Sequence, residues 1–288
     1  MDYLKTYREM ISYRGLTAHT VTSYTTYISA YLDFLQSVLR KTPKQADWDD
    51  MRSFLVFIQE SRHLSDRTVN AAISQLRFFC IYVLHRRWEP DRLPFRKFDS
   101  YLPYVPSQEE TFEFISTIPD IKQRAMCAVM YSSGLRIGEL CHLRYEDIDR
   151  KNRRIHVCHS KNRQDRYAAL SEYALDLLTR YWFQCGRPMG YLFPQQRHPD
   201  RPIDTFYLSR WISKHEEELG WPHRITCHTF RHALGTHLYE SGIDLLTIKA
   251  LLGHKSLYST TIYVHLAKNR FSAVVHPIDR MAGAFHAG

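Results

Sequence analysis

The sequence lacks both paired cysteines and long apolar runs. Its six cysteines are spread along the chain without a CxxC pair, so they do not indicate the disulfide framework of a small secreted domain. No stretch approaches the ~20 apolar residues that a membrane helix needs, and the N-terminal residues have no apolar core of the signal-peptide type. We therefore expect reduced thiols, no membrane-spanning segment and a cytoplasmic protein.

Acidic residues are fewer than basic ones. The chain of 288 residues has 39 Lys and Arg against 30 Asp and Glu, which gives a formal net charge of +9. This excess favours a polyanionic partner, because Lys and Arg contacts to phosphate dominate nucleic-acid affinity; a basic enzyme without such a partner is the alternative. With 44% hydrophobic residues, a chain of this length can form two globular domains with buried cores.

Helical periodicity dominates the first hundred residues. Apolar residues recur every three or four positions in residues 17–39 and again in residues 65–84, with Thr17 and Ser65 as the predicted N-caps. Another helix is predicted from about Asp49. These patterns predict an all-helical first domain.

A stretch rich in proline then interrupts the periodicity, which predicts a domain boundary. Ser107 and Glu110 have the spacing of a capping box at the start of the next helix. We expect a first domain at residues 1–98, a linker at 99–106, and a second domain at 107–288 with a tail at about 268–288.

The second segment mixes helices with one hairpin. Residues 154–158 and 166–170 are typical of short strands, and they flank a polar turn that carries Lys161. Helical patterns follow, with Gly242 and Gly253 as stops, at about 172–184, 203–218, 228–241, 244–252 and 258–267. The predicted fold class is mainly α, with a helical N-terminal domain and a mixed α+β domain that contains a small β-hairpin.

Three clusters in the second segment carry reactive side chains. The first places Arg136 just after Gly134, at the start of a predicted short helix, where backbone amides and a guanidinium can face one anion. Glu139 follows one turn later and can orient Arg136. A surface arginine in an ordinary ion pair is the alternative for this cluster taken alone.

The second cluster is the run from His228 to His232. His228 and Arg231 share one helical face, a pairing suited to proton transfer and charge stabilisation at a phosphate; an incidental pair on a helix is the alternative. His228 and His232 also have the i,i+4 spacing of an HExxH zinc site. Because Thr229 stands where the glutamate of that motif would be, we expect no metal.

The third cluster runs from Gly253 and His254 to Tyr263. A tyrosine hydroxyl is an adequate nucleophile toward phosphorus when cationic groups stabilise the charge that develops. The chain has 19 tyrosines, and most of them are expected to pack or to form hydrogen bonds, so Tyr263 alone indicates little.

Together, these clusters resemble the tyrosine recombinase (phage integrase) family. Its marker residues occur here in order: Arg136, Lys161, His228 with Arg231, Gly253 with His254, and Tyr263. Tyr263 follows His254 by nine residues, a spacing similar to that of Xer-type members, and the segments LLGHKS and STTIY look like theirs. The resemblance is strong over residues 104–267, whereas residues 1–98 more weakly resemble the family's SAM-like core-binding domain.

The resemblance implies DNA cleavage and rejoining without a metal, a nucleotide or any other cofactor. Tyr263 would attack the scissile phosphate, which gives a 3′-phosphotyrosine and a free 5′-hydroxyl. The other implied roles are phosphate clamping by Arg136 and Arg231, protonation of the 5′-oxygen by Lys161, assistance to Tyr263 deprotonation by His228, hydrogen bonding to the phosphate by His254, and support by Glu139. Family members commonly have glycines beside the hairpin lysine, and Lys161 has none in the run HSKNR.

The resemblance also implies the partners. We expect a clamp around a double-stranded DNA recombination site, a head-to-tail tetramer on two such sites, and an accessory protein or partner recombinase as a further candidate partner. Arg67 to Arg77 and Arg201 to Lys214 are the candidate base-reading segments. The apolar tail from Phe271 to Phe285 is expected to dock on a neighbouring subunit or, alternatively, on its own domain.

The short segment before Thr17 predicts that the chain lacks the arm-binding domain of many phage integrases. Two other functions stay open: a type IB topoisomerase, whose active-site groups are nearly the same, and a DNA-binding regulator with a silent active site.

Overall fold

The computed structural model describes residues 2–16, 18–99, 101–158 and 165–267. The chain forms two compact units, Met1–Ser100 and Tyr101–Gly288. Three sequence-based assignments lie outside the described residues: the N-cap Thr17, the turn that carries Lys161, and the C-terminal tail. Within the described residues, the prediction of a mainly α fold with a small antiparallel sheet is confirmed.

The first unit is all-helical. Its elements are α1 (Tyr3–Tyr13), α2 (Ala18–Phe34) with a π-helical extension (Leu35–Leu39), α3 (Trp48–Arg62) and α4 (Asp66–Tyr82). Short polar side chains explain where the helices begin: Asp47 and Asp50 form a capping box on α3, and the Ser65 hydroxyl accepts from the Thr68 amide on α4. The sequence-based prediction missed α1, whose N-cap is Asp2.

Aromatic side chains fill the core of the first unit. The Tyr31 ring lies 5.1 Å from that of Phe54 and 6.3 Å from that of Phe79, between centroids, and all three side chains are buried. Tyr7 is equally buried, and its hydroxyl donates to Gln75 Oε1 at 2.7 Å. Core rings therefore join α1, α2, α3 and α4.

The first helix of the second unit begins where the sequence predicts. Ser107 and Glu110 form the expected capping box on α5. The elements are α5 (Gln108–Ser116), α6 (Ile121–Ser133), α7 (Ile137–Cys141), a 3₁₀ turn (Tyr145–Asp147), β1 (Ile148–Asp149), β2 (Arg154–Val157), β3 (Arg166–Ala169), α8 (Glu172–Gln184), α9 (Thr205–Leu219), α10 (Cys227–Glu240), α11 (Leu245–Leu252) and α12 (Tyr258–Leu266).

Helix α6 occupies the centre of this unit. Its residues from Ala125 to Met130 are all buried, and the helix packs against α8 and α10. A helix that is apolar on every side belongs in a core. Antiparallel strands β1, β2 and β3 follow α7 in that order across the sheet, with Val157 opposite Arg166. Among the described helices, none is long and apolar enough to cross a membrane.

Two buried tyrosines of the first unit give a matched test of hydrogen bonding. Among the described residues, the buried Tyr31 hydroxyl has no hydrogen-bond partner, whereas the Tyr7 hydroxyl has Gln75. We expect Tyr31→Phe to raise the free energy of unfolding by about 1 kcal/mol, because it removes a polar group that burial desolvates without compensation. Tyr7→Phe should lower it by about 1 kcal/mol, because Gln75 loses its donor. Urea denaturation of both variants checks this; equal losses of stability would contradict it.

Candidate active site

A left-handed glycine places Arg136 at the start of α7. Gly134 ends α6 with φ near 58°, a conformation that a side chain disfavours, and a Cβ there would lie 2.4 Å from Leu252 Cδ2. The chain reverses at this point, and Arg136 becomes the N-cap residue of α7. The predicted break and short helix are therefore present. Because Gly134 lies against Leu252, the last residue of α11, they place Arg136 near the end of that helix.

The carboxylate of Glu139 is held between two guanidinium groups. Arg136 Nη1 donates to Glu139 Oε1 at 2.7 Å, and Arg166 donates with Nη1 at 3.0 Å and Nη2 at 2.7 Å, one bond to each carboxylate oxygen. Burial raises the pKa of Glu139, but the hydrogen bonds from Arg166 and from the Arg136 amide outweigh it and lower the pKa to about 2. The carboxylate is therefore ionised at neutral pH and fixes both arginines.

Arg231 lies deeper in the unit, with 4% of its surface exposed. Its Nη1 donates to the Gly134 carbonyl and its Nη2 donates to the Leu252 carbonyl at 2.5 Å. Burial, followed by the repulsion of Arg136, lowers its pKa to about 10. The guanidinium therefore keeps its charge at neutral pH, and it joins α10 to the C-terminal ends of α6 and α11.

His254 follows the glycine that ends α11. Gly253 has φ near 66°, and a Cβ there would lie 2.6 Å from Arg166 Cδ, so the absence of a side chain lets Arg166 cross this turn. His254 Nδ1 shares a hydrogen bond of 2.9 Å with Thr260 Oγ1. Burial and then the charge of Arg231 lower its pKa to about 4, so the imidazole is neutral at pH 7.

Tyr263 packs against the backbone of α10. Its ring stacks on His254 at 6.1 Å and 18° and meets His232 edge-on at 6.2 Å, and only 1% of the residue is exposed. A Cβ at Gly235 would lie 2.3 Å from Tyr263 Cζ, so glycine leaves the space for the ring. Burial raises the pKa of Tyr263 to about 12, although the charges of Arg231 and Arg136 act in the opposite direction.

His228 sits at the exposed start of α10. Its ring centroid is 6.5 Å from that of His232, which in turn faces Tyr263. Burial, followed by the charges of His228 and Arg231, lowers the pKa of His232 to about 4. The structure thus brings Arg136, Glu139, Arg231, His254 and Tyr263 to one place and puts His228 at its rim. Lys161 lies outside the described residues.

Four residues of the site were missed by sequence reasoning: Arg166, His232, Gly235 and Thr260. The strand pattern places Arg166 at the start of β3, opposite Val157, but it does not reveal the bond from Arg166 to Glu139. Thr260 stands six residues after His254, in the run STTIY, but spacing does not reveal the hydrogen bond between them. Nothing in the sequence marks Gly235 as a site residue, because its role is to leave space for the Tyr263 ring.

Comparison with known proteins identifies the family. Residues 107–270 match the phage integrase family, and residues 3–90 match the N-terminal SAM-like domain of phage integrases. The chain belongs to the phage integrase family. It is a site-specific tyrosine recombinase, a DNA-binding enzyme that breaks and rejoins DNA, and the prediction from the order of the motif residues is confirmed.

Individual relatives agree with this assignment. The protein y4eF of Sinorhizobium fredii, named as an integrase/recombinase, is 34% identical over 80% of this chain and 92% of its own. The tyrosine recombinase XerA of Thermococcus kodakarensis is 27% identical over 98% of each chain. The Tn1549 transposon integrase, solved in complex with circular intermediate DNA, superposes with a TM-score of 0.72 at 19% identity over 99% of each chain, which establishes a shared fold.

Gly235 offers a direct test of how Tyr263 is seated. We expect Gly235→Ala to lower the free energy of unfolding by about 1 kcal/mol or more, because the overlap with the Tyr263 ring outweighs the better helix propensity of alanine. Gly138→Ala is the matched control, since Gly138 is also helical and a Cβ there meets nothing within 4 Å. Urea denaturation of both variants measures the difference, and a Gly235→Ala protein as stable as the control would refute the close packing.

Proposed function

We propose that Tyr263 is the nucleophile with which this recombinase cleaves DNA. The observation that supports this most directly is the position of the Tyr263 ring, which stacks on His254 and packs on Gly235 of α10, the helix that carries Arg231. In agreement, the charges of Arg231 and Arg136 lower the pKa of the phenol, which burial raises. The same two guanidiniums would stabilise negative charge that develops on a phosphate attacked from that oxygen. Of the 19 tyrosines in the sequence, Tyr263 is the one nine residues after His254, a spacing similar to that of Xer-type members.

The reaction is a phosphoryl transfer in which bond energy is conserved. A bond forms from the Tyr263 oxygen to phosphorus, and the bond from phosphorus to the 5′-oxygen breaks, which leaves a 3′-phosphotyrosine. The phenol proton leaves with the help of His228, and Lys161 supplies a proton to the 5′-oxygen. Attack by a 5′-hydroxyl reverses these steps and rejoins a strand, so neither a metal nor a nucleotide is required.

Arg136 and Arg231 are proposed to hold the two non-bridging oxygens of the scissile phosphate. A guanidinium suits this role because its planar fork matches phosphate geometry and its charge is permanent at neutral pH. Glu139 is a positioning residue, since its buried carboxylate fixes Arg136 through a 2.7 Å bond. His254 is neutral, and the nitrogen opposite its bond to Thr260 is proposed to hydrogen-bond the phosphate.

We propose residues 1–98 as the core-binding domain, 99–106 as the linker and 107–288 as the catalytic domain. The division of the structure after Ser100 and the two separate family matches support this arrangement. Both domains are proposed to bind a double-stranded DNA recombination site in the cytoplasm. The first candidate base-reading segment, Arg67 to Arg77, lies on α4, and the exposure of both arginines supports this role. In the second candidate, Arg210 and Lys214 are exposed one turn apart on α9.

The assembly is proposed to be a head-to-tail tetramer on two DNA sites, with an accessory protein or partner recombinase as a further participant. The apolar tail from Phe271 to Phe285 would dock on the neighbouring subunit. An apolar groove of about 510 Å³ between α5, α6 and α10, lined in part by Phe112, Leu234 and Leu238, supports this proposal as the receiving surface.

The covalent intermediate tests the proposed nucleophile. Wild type, Tyr263→Phe and Tyr258→Phe proteins are incubated without metal with nicked DNA substrates taken from the flanks of the gene, and adducts are resolved on denaturing gels. We expect an adduct with wild type and at a similar level with Tyr258→Phe, because Tyr258 is 85% exposed at the start of the same helix. Tyr263→Phe should form none, and an adduct that persists in it would overturn the assignment.

Removal of the tail tests the proposed assembly. Deletion of residues 270–288 should abolish pairing of two DNA sites while single-site binding persists, as measured by light scattering of the protein–DNA complexes. Leu238→Asp in the groove should have the same effect, whereas Met189→Asp, at a residue that is 67% exposed on another surface, should not. Unchanged pairing and full recombination by the deletion variant would instead favour a tail that folds back on its own domain.

A further inference from the structure

A second group of reactive side chains, separate from the residues around Tyr263, lies at the end of β2. It consists of Asp147, His156 and Cys158, whose ligand-type atoms all lie within 4.8 Å of one another. Cys158 Sγ is 3.2 Å from His156 Nδ1 and 3.9 Å from Asp147 Oδ1. The recombinase chemistry proposed above uses none of these three residues.

Regular structure holds the three side chains together. His156 and Cys158 flank Val157, which is 2% exposed, so strand alternation puts both on the face opposite the core. Asp147 ends the 3₁₀ turn, where its Oδ2 accepts from the Arg144 amide at 2.8 Å, and its Oδ1 faces Cys158. Pairing of β1 with β2 fixes the turn relative to the strand.

A fourth residue lies beside the imidazole. Asp165 Oδ2 is 3.8 Å from His156 Nε2, and Cys158 Sγ is 3.2 Å from Nδ1 and 3.8 Å from Nε2. Histidines that bind metals commonly direct their second nitrogen to a carboxylate, which fixes the tautomer and the ring orientation. At 3.8 Å Asp165 makes no hydrogen bond to His156, but it is near enough to accept one after a small shift of either side chain.

Two of the distances between these atoms are close to those of tetrahedral coordination. Zinc binds thiolate at about 2.3 Å and imidazole or carboxylate at about 2.0–2.2 Å, so ligand atoms around it are separated by roughly 3.5 Å. The observed 3.2 and 3.9 Å lie on either side of that value. Because Cys158 Sγ is also 3.8 Å from His156 Nε2, the imidazole has to rotate to direct one nitrogen at the ion. A thiolate, an imidazole and a carboxylate together favour zinc over hard cations such as magnesium. The cluster is partly exposed, which gives an ion access.

We propose that Asp147, His156 and Cys158 bind one zinc-type divalent cation, with water in the fourth position and with the Cys158 proton released to solvent. This site is structural: it joins the 3₁₀ turn to the end of β2, directly before residues 159–164. It goes beyond the recombinase function and does not depend on it. The alternative is a polar cluster in which Cys158 only makes weak hydrogen bonds to its neighbours.

Cobalt is the probe for this site, because a thiolate that ligates Co²⁺ gives a charge-transfer absorption in the near ultraviolet. The full-length protein is freed of metal with a chelator and titrated with Co²⁺. We expect the band to saturate at one equivalent and to disappear when Zn²⁺ is added. Cys158→Ser should abolish the band, and His156→Gln should weaken cobalt binding at least about tenfold.

Cys185→Ser is the matched control. Among the six cysteines four are buried, and Cys185 is the exposed one, so it tests for adventitious binding at a surface thiol. This variant should keep the full band, and Zn²⁺ should raise its melting temperature as it raises that of wild type, because a cation that binds only the folded state stabilises it. Cys158→Ser should melt at the same temperature with and without Zn²⁺. A wild type without the band, or the same band in Cys158→Ser, would overturn the proposal.

Discussion

The buried carboxylate of Glu139 makes the rest of the active site possible. Arg136 and Arg166 share one carboxylate at the proposed phosphate site, and like charges repel strongly when they are partly removed from water. Glu139 offsets that repulsion by accepting from both Arg136 and Arg166. The same bonds keep the carboxylate ionised, with a pKa of about 2. The position of Arg136, which is proposed to hold the phosphate, therefore depends on the Glu139 carboxylate.

The buried charge of Arg231 is compensated by backbone carbonyls instead of a carboxylate. Its two donors bind the carbonyls of Gly134 and Leu252, the residues at which α6 and α11 end. The last carbonyls of a helix have no partner within it and carry partial negative charge, so they suit a buried guanidinium. Two glycines in the left-handed conformation, Gly134 and Gly253, end these helices. The fold thus uses helix ends to seat a cation beside Tyr263.

Burial gives the site its protonation states. It lowers the pKa of His254 and His232 to about 4 and raises that of Tyr263 to about 12, so all three are neutral at pH 7 while the arginines are charged. Negative charge is therefore favoured at one place, between the guanidiniums. We interpret this as preorganisation for a phosphate, since the dipoles and charges are oriented before DNA arrives.

Local chemistry in the sequence was enough to locate most elements and to name residues that the structure brings together around Tyr263. Helix α8 begins and α11 ends where predicted, because caps such as Ser171 and Gly253 act within one turn. The motif residues also keep a fixed order along the chain. Contacts between distant residues were decided only by the tertiary structure. The bond from Arg166 to Glu139 spans 27 positions and the seat of Tyr263 on Gly235 joins two helices, so neither leaves a periodic signal. A sequence pattern records short-range geometry, whereas charge pairing and ring packing exist only once the helices and strands have come together.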